Sequence, residues 1–284
     1  MKRTYPAPVC DTPHVAGCCR RPSGIAEVRR AACHVVVVSF AAMVCAAGLA
    51  CGAPGEAPAD GALSNIISGV PSVIEPDARY LIYLHGAIIE TQGIRPTHPR
   101  FGVYEYEKIL QTLAERGFVV ISEVRPAGTD GMVYATKVVE QVRELLAAGV
   151  PPDHVTVVGF SKGGGIAIAA SSMLADDDLN FVFMAACNPW LDDHPEIVPR
   201  GRLLSLREAS DELMGTCDGL FARSPSQHVQ REIVLHVGGG HGAFYRPHPE
   251  WVDPIVEWAG LEGSAAPFPD RPDAEIGDQG ESRQ

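Results

Sequence analysis

Residues 155 to 170 leave the chain little choice of local structure. Val155-Thr156-Val157-Val158 is an apolar, β-branched run suited to a buried strand. Gly159-Phe160-Ser161-Lys162-Gly163 follows at once. Gly164-Gly165-Ile166-Ala167-Ile168-Ala169-Ala170 then reads as the start of a buried helix. The serine therefore sits on a tight strand-to-helix turn, where strand and helix come so close that neither flanking position has room for a side chain. That is the context a nucleophile elbow needs: a hydroxyl pushed outward, with free N–H groups at the helix N-terminus behind it. A glycine-rich βα turn that binds nothing could carry the same five letters. The strand before it and the small-residue helix after it favour the elbow.

The rest of the body repeats this rhythm. Apolar runs at Arg79 to Leu84, Phe118 to Ser122, Phe181 to Ala186, Arg202 to Leu206 and Glu232 to Val237 read as further strands. Tyr106 to Arg116, with Ile109, Leu110 and Leu113 on one face, reads as a helix stopped by Gly117. So does Tyr134 to Ala148, with Val138, Val142, Leu145 and Leu146, ended by Gly149 and Pro151. Pro254 to Leu261 closes the body as a helix containing Trp258. Short strands alternating with longer helices predict an α/β fold, a mostly parallel sheet with helices on both faces.

The termini read differently. Residues 1–51 form a signal peptide or N-terminal anchor: a basic segment ending in Arg29-Arg30, then the uncharged stretch Ala31 to Cys51. Gly48-Leu49-Ala50-Cys51 resembles a bacterial lipoprotein cleavage site, with Gly48 where Leu is usual. Cys51 is thus a candidate for lipidation, and a simple cut after Ala50 is the alternative. Residues 52–62 read as a flexible linker, 63–261 as the folded body and 262–284 as a disordered tail. These features predict an exported protein, whether periplasmic, membrane-tethered or extracellular. Six of the eight cysteines lie at or before Cys51. The remaining pair, Cys187 and Cys217, each lie just past one of two successive strands. Loops leaving the same edge of neighbouring strands come within bonding reach, so a disulfide is expected. The formal net charge of −12 argues against nucleic acid as a partner.

Four motifs in order make the stretch from Ala78 to Leu261 resemble the α/β-hydrolase superfamily: His85-Gly86, the Ser161 elbow, Asp211 after a late strand, and His241 after the last strand. The resemblance implies an α/β-hydrolase fold without a large lid domain, since only about fifteen residues, Cys187 to Gly201, occupy the usual lid position. It implies Ser161 as nucleophile, His241 as base and Asp211 as the acid. Glu208, Asp192, Asp193 and Asp218 are alternatives for the acid, and a helix cap is an alternative role for Asp211. His241, in Gly238-Gly239-Gly240-His241-Gly242, lies on a flexible loop at a strand end. His236 reads as lying inside a strand, His248 lies between two prolines, and His85 reads as structural. The backbone N–H groups of Lys162 and Ala87 are expected to form the oxyanion hole, with no chemistry required of either side chain. Glu90 is expected to touch substrate, to pair with Arg95 or to be a surface carboxylate. Trp190 is expected to wall the pocket or simply to pack.

The chemistry expected is cleavage of a carboxylic ester, as a small-molecule or acyl substrate, through an acyl-enzyme. No metal or organic cofactor is implied. A thioesterase or amidase, or a non-catalytic surface lipoprotein of the same fold, are the alternatives.

Overall fold

The computed structural model describes residues 65–225 and 229–261. The expected leader at 1–51 with Cys51, the linker at 52–62 and the tail at 262–284 lie outside the described residues. Along the described chain the elements are β1 (Ile66–Ile67), β2 (Arg79–Leu84), α1 (Ala87–Gln92), β3 (Thr97–His98), β4 (Gly102–Val103) and α2 (Tyr106–Glu115). They continue with β5 (Phe118–Ile121), α3 (Gly131–Ala147), β6 (Val155–Phe160), α4 (Lys162–Leu174), β7 (Asn180–Met184) and β8 (Arg202–Glu208). The last are α5 (Asp218–Ala222), β9 (Gln230–Leu235) and α6 (Pro249–Trp258).

Seven strands form one sheet in the order β1-β5-β2-β6-β7-β8-β9, and each pairing in it is parallel. Alternate residues feed opposite faces, as the pleat requires. Tyr80, Ile82, Phe181 and Phe183 pack with α3 and α4 on one face; Leu81, Tyr83, Val182 and Met184 pack with α2 and α6 on the other. Both faces are covered, which is why these strands read as unbroken apolar runs. The two-faced parallel sheet without a lid is the architecture expected. Between Cys187 and Gly201 there is only a 3₁₀ turn at Pro189–Leu191.

The strand order places the functional rim. After β2 the chain leaves for β5 on one side, then returns to β6 on the other side of β2. Loops at the carboxyl ends of β2 and β6 therefore diverge and open a crevice, where ligands of open α/β sheets bind. The register pairs Leu84 with Gly159. That pairing sets the His85-Gly86-Ala87 loop beside Phe160 and Ser161.

Several boundaries differ from expectation for local reasons. Helix α3 begins at Gly131, three residues before the expected start, because Asp130 caps it: its carboxylate accepts from Met132 and Val133 N–H at 2.8 and 3.1 Å. Strand β7 stops at Met184 because Ala185 turns to φ 44°. Helix α6 starts at Pro249, with Pro254 inside it. The N–H that Pro254 lacks would have gone to the carbonyl of Glu250, an exposed residue on the first turn, where water can serve instead. His236 lies just past the end of β9 and is exposed, not held inside a strand as expected.

Candidate active site

Ser161 occupies the strained turn between β6 and α4. Its φ of 54° and ψ of −118° put a non-glycine residue in a sparsely populated backbone region. Such a conformation costs about 1–3 kcal/mol and persists only where the surroundings enforce it. They do so here. A Cβ on Gly159 would lie 2.2 Å from the Gly163 carbonyl oxygen, and one on Gly163 would lie 2.0 Å from that of Leu84. The Ser161 N–H donates to Met184 O at 2.9 Å, and its carbonyl accepts from Gly165 N–H at 3.1 Å.

The turn presents Oγ to His241. His241 lies on a 3₁₀ turn, Gly240–Tyr245, reached from the end of β9, and its ring packs against those of Phe160 and Phe101. Its Nε2 is 3.0 Å from Ser161 Oγ, and its Nδ1 is 2.8 Å from Asp211 Oδ2. A carboxylate facing Nδ1 keeps the proton on that nitrogen, so Nε2 is free to accept one from the serine.

Asp211 is buried in the loop after β8. Burial raises its carboxyl, but the hydrogen bond from His241 and those from the backbone of Leu213 and Met214 outweigh it and hold the group below its ordinary value. Oδ1 takes the two backbone N–H groups while Oδ2 takes the imidazole. The turn-capping role and the imidazole-facing role are thus both present, one on each oxygen. The alternative acids lie elsewhere. Asp192, Asp193 and Asp218 are exposed. Glu208 is buried, but its Oε2 accepts from Ser210 N–H and Oγ while Oε1 accepts from Gly238 N–H. It ties the loop carrying Asp211 to the loop carrying His241. Burial raises its carboxyl too, and these hydrogen bonds bring it below the usual range.

Lys162 and Ala87 are the first residues of α4 and α1, so their N–H groups have no acceptor within their own helices. The two segments touch: a Cβ on Gly86 would meet the Phe160 ring at 3.0 Å and Ser161 Cβ at 3.7 Å. The Gly86 N–H donates to Tyr104 Oη at 3.4 Å.

His85, expected to be structural, is fully buried. Its Nε2 accepts the Arg125 N–H at 3.0 Å, so Nδ1 carries the hydrogen and donates to Gly86 O at 2.9 Å. Burial, with the adjacent Arg125 guanidinium, lowers this imidazole from 6.5 to about 4.

One expectation needs correction. Glu90 is neither a surface carboxylate nor the partner of Arg95. Its side chain is 3% exposed and accepts from Arg125 Nε at 2.9 Å and from Lys162 Nζ at 2.7 Å. The Lys162 side chain bridges Glu90 and the Thr129 carbonyl. Trp190 is 45% exposed and packs against His194 with the two rings tilted at 39°. Cys187 and Cys217 are joined, with Cα atoms 5.3 Å apart, past the ends of neighbouring β7 and β8 as expected. The sequence reading did not single out Arg125, Phe101 or Thr129. A lone arginine a few residues past a strand carries no pattern, and only the fold reveals its partners.

No protein-family model matches this chain. An acetyl-hydrolase of Streptomyces hygroscopicus is 29% identical over 143 residues, which cover 50% of this chain and 44% of that protein. The match thus spans less than half of that relative's length. Among solved structures, SOBER1 of Arabidopsis thaliana aligns at 13% identity over 65% of this chain and 98% of its own, with a TM-score of 0.42. XC6422 of Xanthomonas campestris, described as an α/β serine hydrolase without lid, aligns at 15% identity over 69% of this chain and 88% of its own, with a TM-score of 0.43.

Proposed function

We propose that this chain, which has the α/β-hydrolase fold without a lid domain, is a serine hydrolase that cleaves carboxylic esters through an acyl-enzyme. One observation carries the reading. A hydroxyl on a strained elbow, an imidazole and a buried carboxylate stand in series at 3.0 and 2.8 Å, although they come from the ends of three different strands. Packing alone gives no reason for that alignment.

In the proposed reaction Ser161 Oγ attacks the carbonyl carbon while its proton passes to His241 Nε2. Asp211 holds the ring and stabilises the imidazolium. The negative charge gathering on the carbonyl oxygen is met by the N–H groups of Lys162 and Ala87. Collapse breaks the ester C–O bond, and the departing alkoxide takes the proton from His241. Water then attacks the acyl-serine with His241 again as base. The acid leaves and Ser161 recovers its proton. The absence of a lid in the fold suits small or extended soluble esters, and the likeness to an acetyl-hydrolase supports a short acyl group. We also propose that the protein works in an oxidising compartment, since the Cys187–Cys217 bond would not persist in a reducing one.

The test is a fluorophosphonate probe together with p-nitrophenyl esters of graded acyl length. Labelling and turnover are expected in the wild type. In Ser161→Ala labelling should vanish and kcat should fall on the order of 10⁶-fold. A wild type that neither labels nor turns over, or a Ser161→Ala variant that still labels, would overturn the proposal.

A further inference from the structure

Glu90 lies three residues past Ala87 on α1, and Lys162 directly follows Ser161. Their side chains meet at 2.7 Å across the crevice between the ends of β2 and β6. The same carboxylate holds Arg125, whose side chain is fully buried. Arg125 in turn donates through Nη2 to the His85 carbonyl, and its backbone N–H donates to the His85 ring. Lys162 Nζ reaches a third segment through the Thr129 carbonyl at 2.6 Å. Three stretches of chain, 85–90, 125–129 and 162, are thereby tied through one buried carboxylate.

From this geometry we infer that Glu90 and Lys162 are positioning residues that fix the separation of the Ala87 and Lys162 N–H donors; the inference rests on the hydrolase reading above. Burying a carboxylate with two cations is costly, and well-packed apolar side chains would stabilise the fold as well or better. The arrangement makes physical sense where distance matters more than stability. Donors to an oxyanion act only when about 2.7–3.1 Å from its position, and an error of about 1 Å can cost on the order of 100-fold in rate. The two donors belong to segments that approach each other at Gly86, which faces the Phe160 ring and Ser161 Cβ, and at Gly163, which faces the Leu84 and His85 carbonyls; none of these contacts involves the Glu90 or Lys162 side chain. The Glu90–Lys162 pair spans that junction and does not itself touch the reacting atoms.

The experiment compares Lys162→Met, Lys162→Arg and Glu90→Gln in the full chain, with active sites counted by fluorophosphonate titration so that any unfolded fraction drops out. Lys162→Met is the primary variant: it keeps the backbone N–H and leaves Glu90 paired with Arg125, so folding is retained even if Glu90→Gln fails to fold. We expect kcat per titrated site to fall about 10- to 100-fold, with KM changed less than about threefold. Affinity for a boronic acid that mimics the tetrahedral anion should fall in parallel, and Lys162→Arg should recover most of the loss. Arg116→Met, which breaks an ion pair with Asp253 elsewhere in the fold, should leave kcat per site unchanged. Wild-type kcat per titrated site in Lys162→Met would overturn the inference. So would a rise in KM alone, which would make Glu90 or Lys162 a substrate contact. Ser161→Ala separates the two proposals. If it still labels, the hydrolase reading has failed and this inference falls with it; if labelling is lost while the Lys162 and Glu90 variants behave as wild type, only the inference has failed.

Discussion

Lowering the pH from 7.5 to 4 should destabilise this fold through one residue outside the proposed triad, His85. The ring is fully buried, and both nitrogens are engaged in a way that requires the neutral form: Nε2 accepts from Arg125, and Nδ1 donates to Gly86 O. Burial and then the Arg125 charge lower the group from 6.5 to about 4. Above 6.5 neither the folded nor the unfolded chain protonates this ring. Between 6.5 and about 4 the unfolded chain binds a proton that the folded chain refuses, so stability falls as the pH falls. At about 1.4 kcal/mol per pH unit, the window is worth roughly 3 kcal/mol, and below it this group adds no further loss. Asp211 and Glu208, both lowered, contribute stability that is present above their unfolded values and is lost only at more acid pH, as each is protonated in the fold. The assay is urea denaturation followed by tryptophan fluorescence across the pH range, for wild type and His85→Gln. The variant starts less stable because it loses hydrogen bonds, but its curve between 6.5 and 4 should be flatter by about the same 3 kcal/mol, since the other histidines act equally in both chains. Parallel curves across that window would refute the reasoning.

Other perturbations have equally specific outcomes. Asp211→Asn should lower kcat on the order of 10⁴-fold with KM little changed, by favouring the wrong imidazole tautomer; steady-state kinetics reads this directly, and near-wild-type turnover would remove Asp211 from the role. Gly163→Ala would set a Cβ 2.0 Å from the Leu84 carbonyl oxygen, so a loss of about 3 kcal/mol or more is expected in the denaturation midpoint. Reduction of Cys187–Cys217, whose sequence separation is 30, should cost about 3–4 kcal/mol, and two free thiols by mass spectrometry of the natively produced protein would show that the bond does not form there. Glu208→Gln sets an amide N–H against N–H and O–H donors of Ser210 and Gly238; a loss of about 1–3 kcal/mol in stability is expected by calorimetry, with a fall in kcat as the loops carrying Asp211 and His241 loosen.

What could be read from the chain alone follows a physical division. Strands buried on both faces announce themselves as unbroken apolar runs, so β2, β6 and β7 were legible to within a residue or two. Amphipathic helices such as α2 announce themselves by spacing. Elements held by tertiary context alone were not: β1 and the β3–β4 ribbon have two residues per strand, and α1 is a single six-residue segment, too short to show periodicity. The positions of Ser161, Asp211 and His241 after strand ends were legible because each follows an apolar run, a property of local sequence.

Glu90 was misread because its position depends on something no local window contains. Its partners Arg125 and Lys162 lie 35 and 72 residues away, and they reach it only because β5 and β6 flank β2 from opposite sides. Glu90, just after β2, therefore meets one cation from the connection after β5 and one from the start of α4 after β6. The same strand order that opens the crevice for a ligand also brings together three chain segments at the strand ends: the β2–α1 connection, the stretch 125–129 and the start of α4. Loops over an open crevice cannot be fixed by apolar burial without closing it. Charged side chains can hold them instead, and the buried Glu90 carboxylate does so through Arg125 and Lys162.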